Sequence, residues 1–135
     1  MKDIQIRTAT HMNLNDFLLL KGFHVEQISD FIFKVEKSDE IPVFVNVGKE
    51  TLFFLVDLGS ISEFGCEDLY FRLLDINTEI IPVSVGVDSS SGDKRLVLIE
   101  SREVRNLDDN EILSVFNSLE IAADKIEILL SEYLK

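Results

Sequence analysis

Cysteine occurs once in this 135-residue chain, tryptophan not at all, proline twice and glycine six times. A single cysteine, Cys66, cannot close an intrachain disulfide, and with only His11 and His24 beside it a zinc site of ordinary ligand spacing cannot be built from one chain. Scarce proline and glycine, with no repeat or low-complexity tract, exclude collagen-like and linker-rich architectures and mark no domain boundary. No apolar run approaches the roughly 20 residues that a membrane-spanning helix needs. The first ten residues carry charges rather than the apolar stretch of a signal peptide, so a cytoplasmic location is expected. Basic residues are also few: 13 Lys+Arg stand against 25 Asp+Glu, a formal net charge of -12. Such a field repels nucleic-acid backbones and anionic membranes and attracts basic protein segments.

What remains is a core-forming sequence, 46% hydrophobic with ten Phe. Its length suffices to bury a core without metal or disulfide. Residues 1–12 match no structural pattern; they read as a flexible N-terminal extension or, at His11-Met12, as a cloning junction. Residues 13–135 read as a single α+β domain. Asn13 is a suitable N-cap for a helix from Leu14 to Lys21, and Gly22 can end it in the left-handed conformation. Phe23–Glu26 and Phe31–Glu36 then alternate, with Ser29-Asp30 turning between them, which places Phe23, Val25, Phe31, Phe33 and Val35 inward. Ile41–Val47 follows, with Pro42 near its start because proline lacks an N–H.

The strand Leu52–Leu58 is apolar on both pleat faces, so both faces need cover. This predicts that Phe53 and Leu55 are buried in the assembled protein along with Phe54 and Val56. Glu67–Asn77 has helical spacing, with carboxylates in its first turn and apolar residues over most of its circumference. Strands Ile81–Val87 and Arg95–Ser101 flank the turn Asp88–Asp93, and Ile81, Val83, Val85 and Val87 share a face. Asp108 and Glu111 form a capping-box pattern opening a long amphipathic last helix. The element order is therefore α-β-β-β-β-α-β-β-α, a mostly antiparallel sheet packed against helices.

This order resembles class I type III secretion chaperones and the YbjN-like proteins built on that fold. Locally, Glu40-Ile41-Pro42-Val43-Phe44, the stretch Leu69–Pro82 with Arg72-Leu73-Leu74-Asp75-Ile76-Asn77, and the acidic start of the last helix are similar to the small bacterial YjfI-like family of unknown function. The chain departs from that pattern at Ile99-Glu100-Ser101-Arg102-Glu103, where a Gly-Ala-Leu-Ser-like stretch is expected. The chaperone resemblance implies a homodimer that wraps an unfolded client segment. The YjfI resemblance implies a regulatory subunit of a bacterial envelope-stress, phage-shock-like system.

No nucleophile elbow, nucleotide loop or dinucleotide fingerprint is present. Asp88–Asp93 lacks the carboxylate an EF-hand needs at its twelfth position, which is Ile99. Asp57, the one polar residue in the apolar strand, and Cys66, just before a helix, are the sole candidates for enzyme chemistry; strand-end and incidental roles fit them better. The expectation is a non-enzymatic, chaperone-like protein-binding module without cofactor or metal. Its partner or dimer surface is expected at Phe53, Leu55, Tyr70, Phe71 and Leu74, rimmed by Glu63, Glu67, Asp68, Asp75 and Glu79. A protein partner or a client segment of basic character, together with a second copy of the chain, is the expected partner.

Overall fold

The computed structural model describes residues 1–8 and 12–134. Six strands form one antiparallel sheet in the order β3-β4-β5-β6-β8-β7. They are β3 (His24–Gln27), β4 (Ile32–Glu36), β5 (Val43–Val47), β6 (Thr51–Ser60), β7 (Ser84–Asp88) and β8 (Arg95–Glu103). The helices are α1 (Leu14–Leu20), α2 (Glu67–Ile76) and α3 (Asp109–Ser131). The first four strands make the expected meander. The chain then crosses over through α2 to the far edge and returns, so that β8 lies between β6 and β7.

Residues before α1 depart from the expectation of a flexible extension. β1 (Gln5–Ile6) and β2 (Met12–Asn13) pair antiparallel. Ile4 and Ile6 are buried in the main core, and the Arg7 N–H donates to the Leu107 carbonyl at 2.8 Å. This stretch thus ties the start of α1 to the start of α3. His11, half of the suspected junction, lies outside the described residues.

Helix boundaries follow the local chemistry. The Asn13 side chain accepts from the Asp16 N–H, and Gly22 takes φ 91° where the chain leaves α1. Asp108 and Glu111 close the reciprocal capping box of α3. One face of α3, from Ile112 and Val115 to Leu129 and Leu130, is buried throughout. Phe116 of α3 sits between Phe23 and Phe54, with ring centroids 4.7 and 5.9 Å away.

All three helices lie on one sheet face, against Val35, Val43, Val45, Leu52, Phe54, Val56, Leu96 and Leu98. Three residues of the expected faces do not comply. Phe31 is 63% exposed because β4 begins only at Ile32, leaving Phe31 in the hairpin bend. Ile81 precedes β7 and is exposed, as is Val87, so only Val83 and Val85 of that expected face are buried.

Candidate protein-binding surface

The sheet's other face carries no helix. Register and alternation put Phe44, Leu55 and Ile99 directly opposite one another across β5, β6 and β8, flanked by Lys34 on β4 and Ser84 on β7. One pair further along, Phe53 sits between Asn46 and Ser101. Phe53 is 46% exposed, Ile99 40%, and Phe44 and Leu55 are half-buried. The expected burial of Phe53 and Leu55 is therefore unmet within one chain: the helices cover only the opposite pleat face. Phe44 and Ile99 complete this row and were not singled out by sequence, since each belongs to it only through register.

Charged residues frame the row on the same face. Glu26 is opposite Lys34, whose Nζ lies 3.8 Å from Glu36 Oε1. At the other end Arg95 engages Asp57, with Nη2 and Oδ2 3.1 Å apart. Asp57 also accepts from the Gly59 N–H at 2.9 Å, within a bulge where Gly59 takes φ 106°. Arg95 reaches Asp93 too, and Asp93 accepts from the hydroxyls of Ser60 and Ser62, which hold its carboxyl below the usual carboxylate range. Asp57 is thus a carboxylate at the β6 bulge, held by an arginine and a turn.

The helical layer presents a second apolar surface, on α2. Leu69 and Leu73 face the core, whereas Phe71 and Leu74 are 69% and 70% exposed. Although apolar over most of its circumference, α2 is therefore not covered all round within a single chain. Tyr70, Leu73 and Leu74 form with Val85, Gly86, Val87 and Leu96 an apolar groove of about 190 Å³. Tyr70 folds back over Gly65, where a Cβ would collide with its hydroxyl and lie 2.8 Å from the Ile61 carbonyl oxygen. The five expected surface residues consequently divide: Phe53 and Leu55 on the open sheet face, Tyr70 and Leu74 in the groove beside β7, and Phe71 exposed on α2 outside that groove.

The expected acidic rim lies around α2 and not on the open sheet face, with Asp68, Asp75 and Glu79 turned toward α3 rather than β7. Glu63, Glu67, Asp68, Asp75 and Glu79 are all exposed. Asp68 accepts from the Tyr133 hydroxyl, and Arg72 pairs with Glu132, which raises the arginine's pKa. Asp75, Glu79, Arg72 and Lys125 line a shallow groove between α2 and α3. Cys66 is the exposed N-cap of α2 and makes no side-chain capping bond. His24 is an exposed residue of β3. Among the described residues, no group of His, Cys, Asp and Glu side chains could hold a metal, and no helix is long and apolar enough to cross a membrane.

The CesT_Tir_1 family model matches residues 8–135. Three solved structures share the fold. A chain of the heterodimeric ExoU–SpcU complex from the type III secretion system of Pseudomonas aeruginosa superposes with a TM-score of 0.67 at 17% identity, covering 83% of this chain and 93% of that one. The structure of the Yersinia pestis type III secretion chaperone SycH with a fragment of YscM2 gives 0.59 at 18% identity, over 83% and 94%. YbjN from E. coli gives 0.55 at 14% identity, over 88% of each chain. No curated protein matches the chain. The expected chaperone-like fold is therefore the observed one, while the narrower YjfI-like resemblance finds no counterpart among these matches.

Proposed function

Because this chain belongs to the CesT_Tir_1 family, we propose that it is a protein-binding, chaperone-like module that holds a client segment on the open face of its sheet. The observation that carries this reading is the cross-strand row Phe44–Leu55–Ile99 with Phe53 beside it, apolar and left uncovered by the helices. Contiguous apolar surface bordered by charge is the usual mark of a protein-interaction site. An extended client would bury these side chains, and Glu26, Glu36, Asp57 and Glu103 on the same face favour a client with basic residues flanking its apolar ones. In two of the similar structures the bound partner is itself a protein: ExoU and SpcU form a heterodimer, and SycH holds a fragment of YscM2. The activity is binding, carried out in the cytoplasm without a cofactor, and no reaction is assigned to Asp57 or Cys66.

The flank of α2 supports a second contact, between two copies of the chain. Tyr70, Phe71 and Leu74 with the groove beside Val85 and Val87 form an apolar patch separate from the client row. A homodimer through this flank leaves the open sheet face of each copy free for client. The envelope-stress alternative has no structural observation that favours it over the client-binding reading.

Retention of a protein from the native host by immobilised wild type, compared with Leu55→Asp and Ile99→Asp, tests the proposal. A stoichiometric partner held by wild type and lost from both variants, with unchanged circular dichroism, is expected. Equal retention by all three contradicts it.

A further inference from the structure

Strand β7 forms one edge of the sheet, yet the outward hydrogen-bonding groups in its first half are largely occupied. Its register with β8 pairs Val85 with Leu98 and Val87 with Leu96. Antiparallel alternation turns the backbone groups of Ser84, Gly86 and Asp88 toward β8 and those of Val83, Val85 and Val87 outward. The Val83 N–H donates to the Ile80 carbonyl at 2.8 Å. The Val85 N–H donates to Asn77 Oδ1 at 2.7 Å, and Asn77 Nδ2 lies 3.5 Å from the Val85 carbonyl oxygen. Only the side-chain oxygen can accept from a backbone N–H, so the orientation of the amide is fixed. Asn77, the C-cap residue of α2, therefore stands where the next strand's backbone would stand.

At the other edge the Ile28 N–H donates to the Ile32 carbonyl, making that a bonded pair. Alternation then leaves Val25 and Gln27 of β3 facing outward, with no comparable side-chain clamp among the described residues. The two edges differ in kind. An open edge invites pairing with another chain, and side chains that occupy its groups are one way of preventing this.

We infer that Asn77 closes the β7 edge to strand addition, so that a second copy docking on this flank packs through side chains and does not continue the sheet. Val87 alone retains an outward pair ready to bond, and one residue cannot hold a strand. A β7–β7 pairing would have to expel the Asn77 amide and rebond Val85, leaving that amide to find another partner. Side-chain docking costs none of these bonds, because the groove of Tyr70, Leu74 and Val87 is already open. The second half of this inference rests on the proposed homodimer; the closure itself does not.

Amide exchange of Val85 and Val87, measured by NMR from low to high protein concentration alongside light scattering, separates the two. The Val85 amide is expected to be protected at every concentration and to exchange at least about tenfold faster in Asn77→Ala. The Val87 amide is expected to stay fast even where a dimer forms. A through-hydrogen-bond coupling between the Val85 amide nitrogen and the Asn77 side-chain carbonyl carbon in wild type supplies the same test should Asn77→Ala fail to fold. Absence of that coupling, or Val85 protection unchanged in Asn77→Ala, overturns the closure. Val87 protection that rises with dimer concentration overturns side-chain docking. A wild type that stays monomeric throughout rejects the homodimer and leaves the Val85 comparison to decide the closure.

Discussion

Glu100 and Arg102 leave β8 on the same, helix-covered face, with Glu100 Oε1 2.7 Å from Arg102 Nη2, yet only the arginine reaches solvent. The Glu100 side chain is 1% exposed, and neither of its oxygens finds a partner with hydrogen-bond geometry. Burial raises its pKa above the ordinary 4.5, and the arginine's charge opposes the rise only in part. A carboxyl whose pKa is raised on folding binds its proton more tightly in the folded state. The protonated form therefore favours the fold, and stability falls as pH climbs from the ordinary value through the raised one. Glu100→Gln is expected to stabilise the protein at pH 7 by about 1 kcal/mol and to flatten that part of the pH profile. Urea denaturation at several pH values checks this; an unchanged slope would show that Glu100 is not the group responsible.

Arg102→Ala removes the one charge beside a buried carboxylate. A loss of about 1–3 kcal/mol at pH 7 is expected, shrinking toward pH 4 as Glu100 takes up a proton. The same urea series at the two pH values reads it, and equal losses at both would show that the arginine contributes through packing alone.

Ile6 is 1% exposed within the core, although its stretch of sequence gave no structural signal. Ile6→Ala is expected to cost about 2–4 kcal/mol. Thermal unfolding decides: a melting temperature equal to wild type would return residues 1–8 to the status of a flexible extension.

Salt should distinguish the two proposed surfaces. Two copies meeting at the α2 flank bring together chains that each carry a net charge of -12. Raising salt past about 0.15 M, where screening acts beyond about 8 Å, is expected to strengthen self-association and to slow capture of a basic client. Light scattering at tens of micromolar protein reads the first effect, stopped-flow binding the second. Leu74→Glu should abolish the dimer while leaving client binding intact, and a client lost together with the dimer would show that the surfaces are one.

The parts of the fold legible in the sequence are those that local chemistry determines. Asp108 with Glu111, Asn13 before α1 and the alternation from Phe33 to Val35 and from Val43 to Val45 each specify an element or a face without reference to distant residues. Two-residue strands such as Gln5–Ile6 are too short to show a period, and the hairpin bend cut the alternating run at Phe31. The doubly apolar β6 singled out Phe53 and Leu55, which the helices leave uncovered, but not that Phe44 and Ile99 lie beside Leu55, because register across β8 depends on the crossover through α2. Asn77 looked like any polar helix end. Its bond to Val85 exists only once α2 and β7 are brought together.

The client row is tested most directly by placing a photo-crosslinking residue at position 55 and, as a control, at position 128 on the exposed side of α3, in the native host. The account predicts that light joins position 55 to a second protein, and that position 128 gives no such adduct. A partner captured from position 128 and never from position 55 would contradict the assignment of the open sheet face as the binding surface.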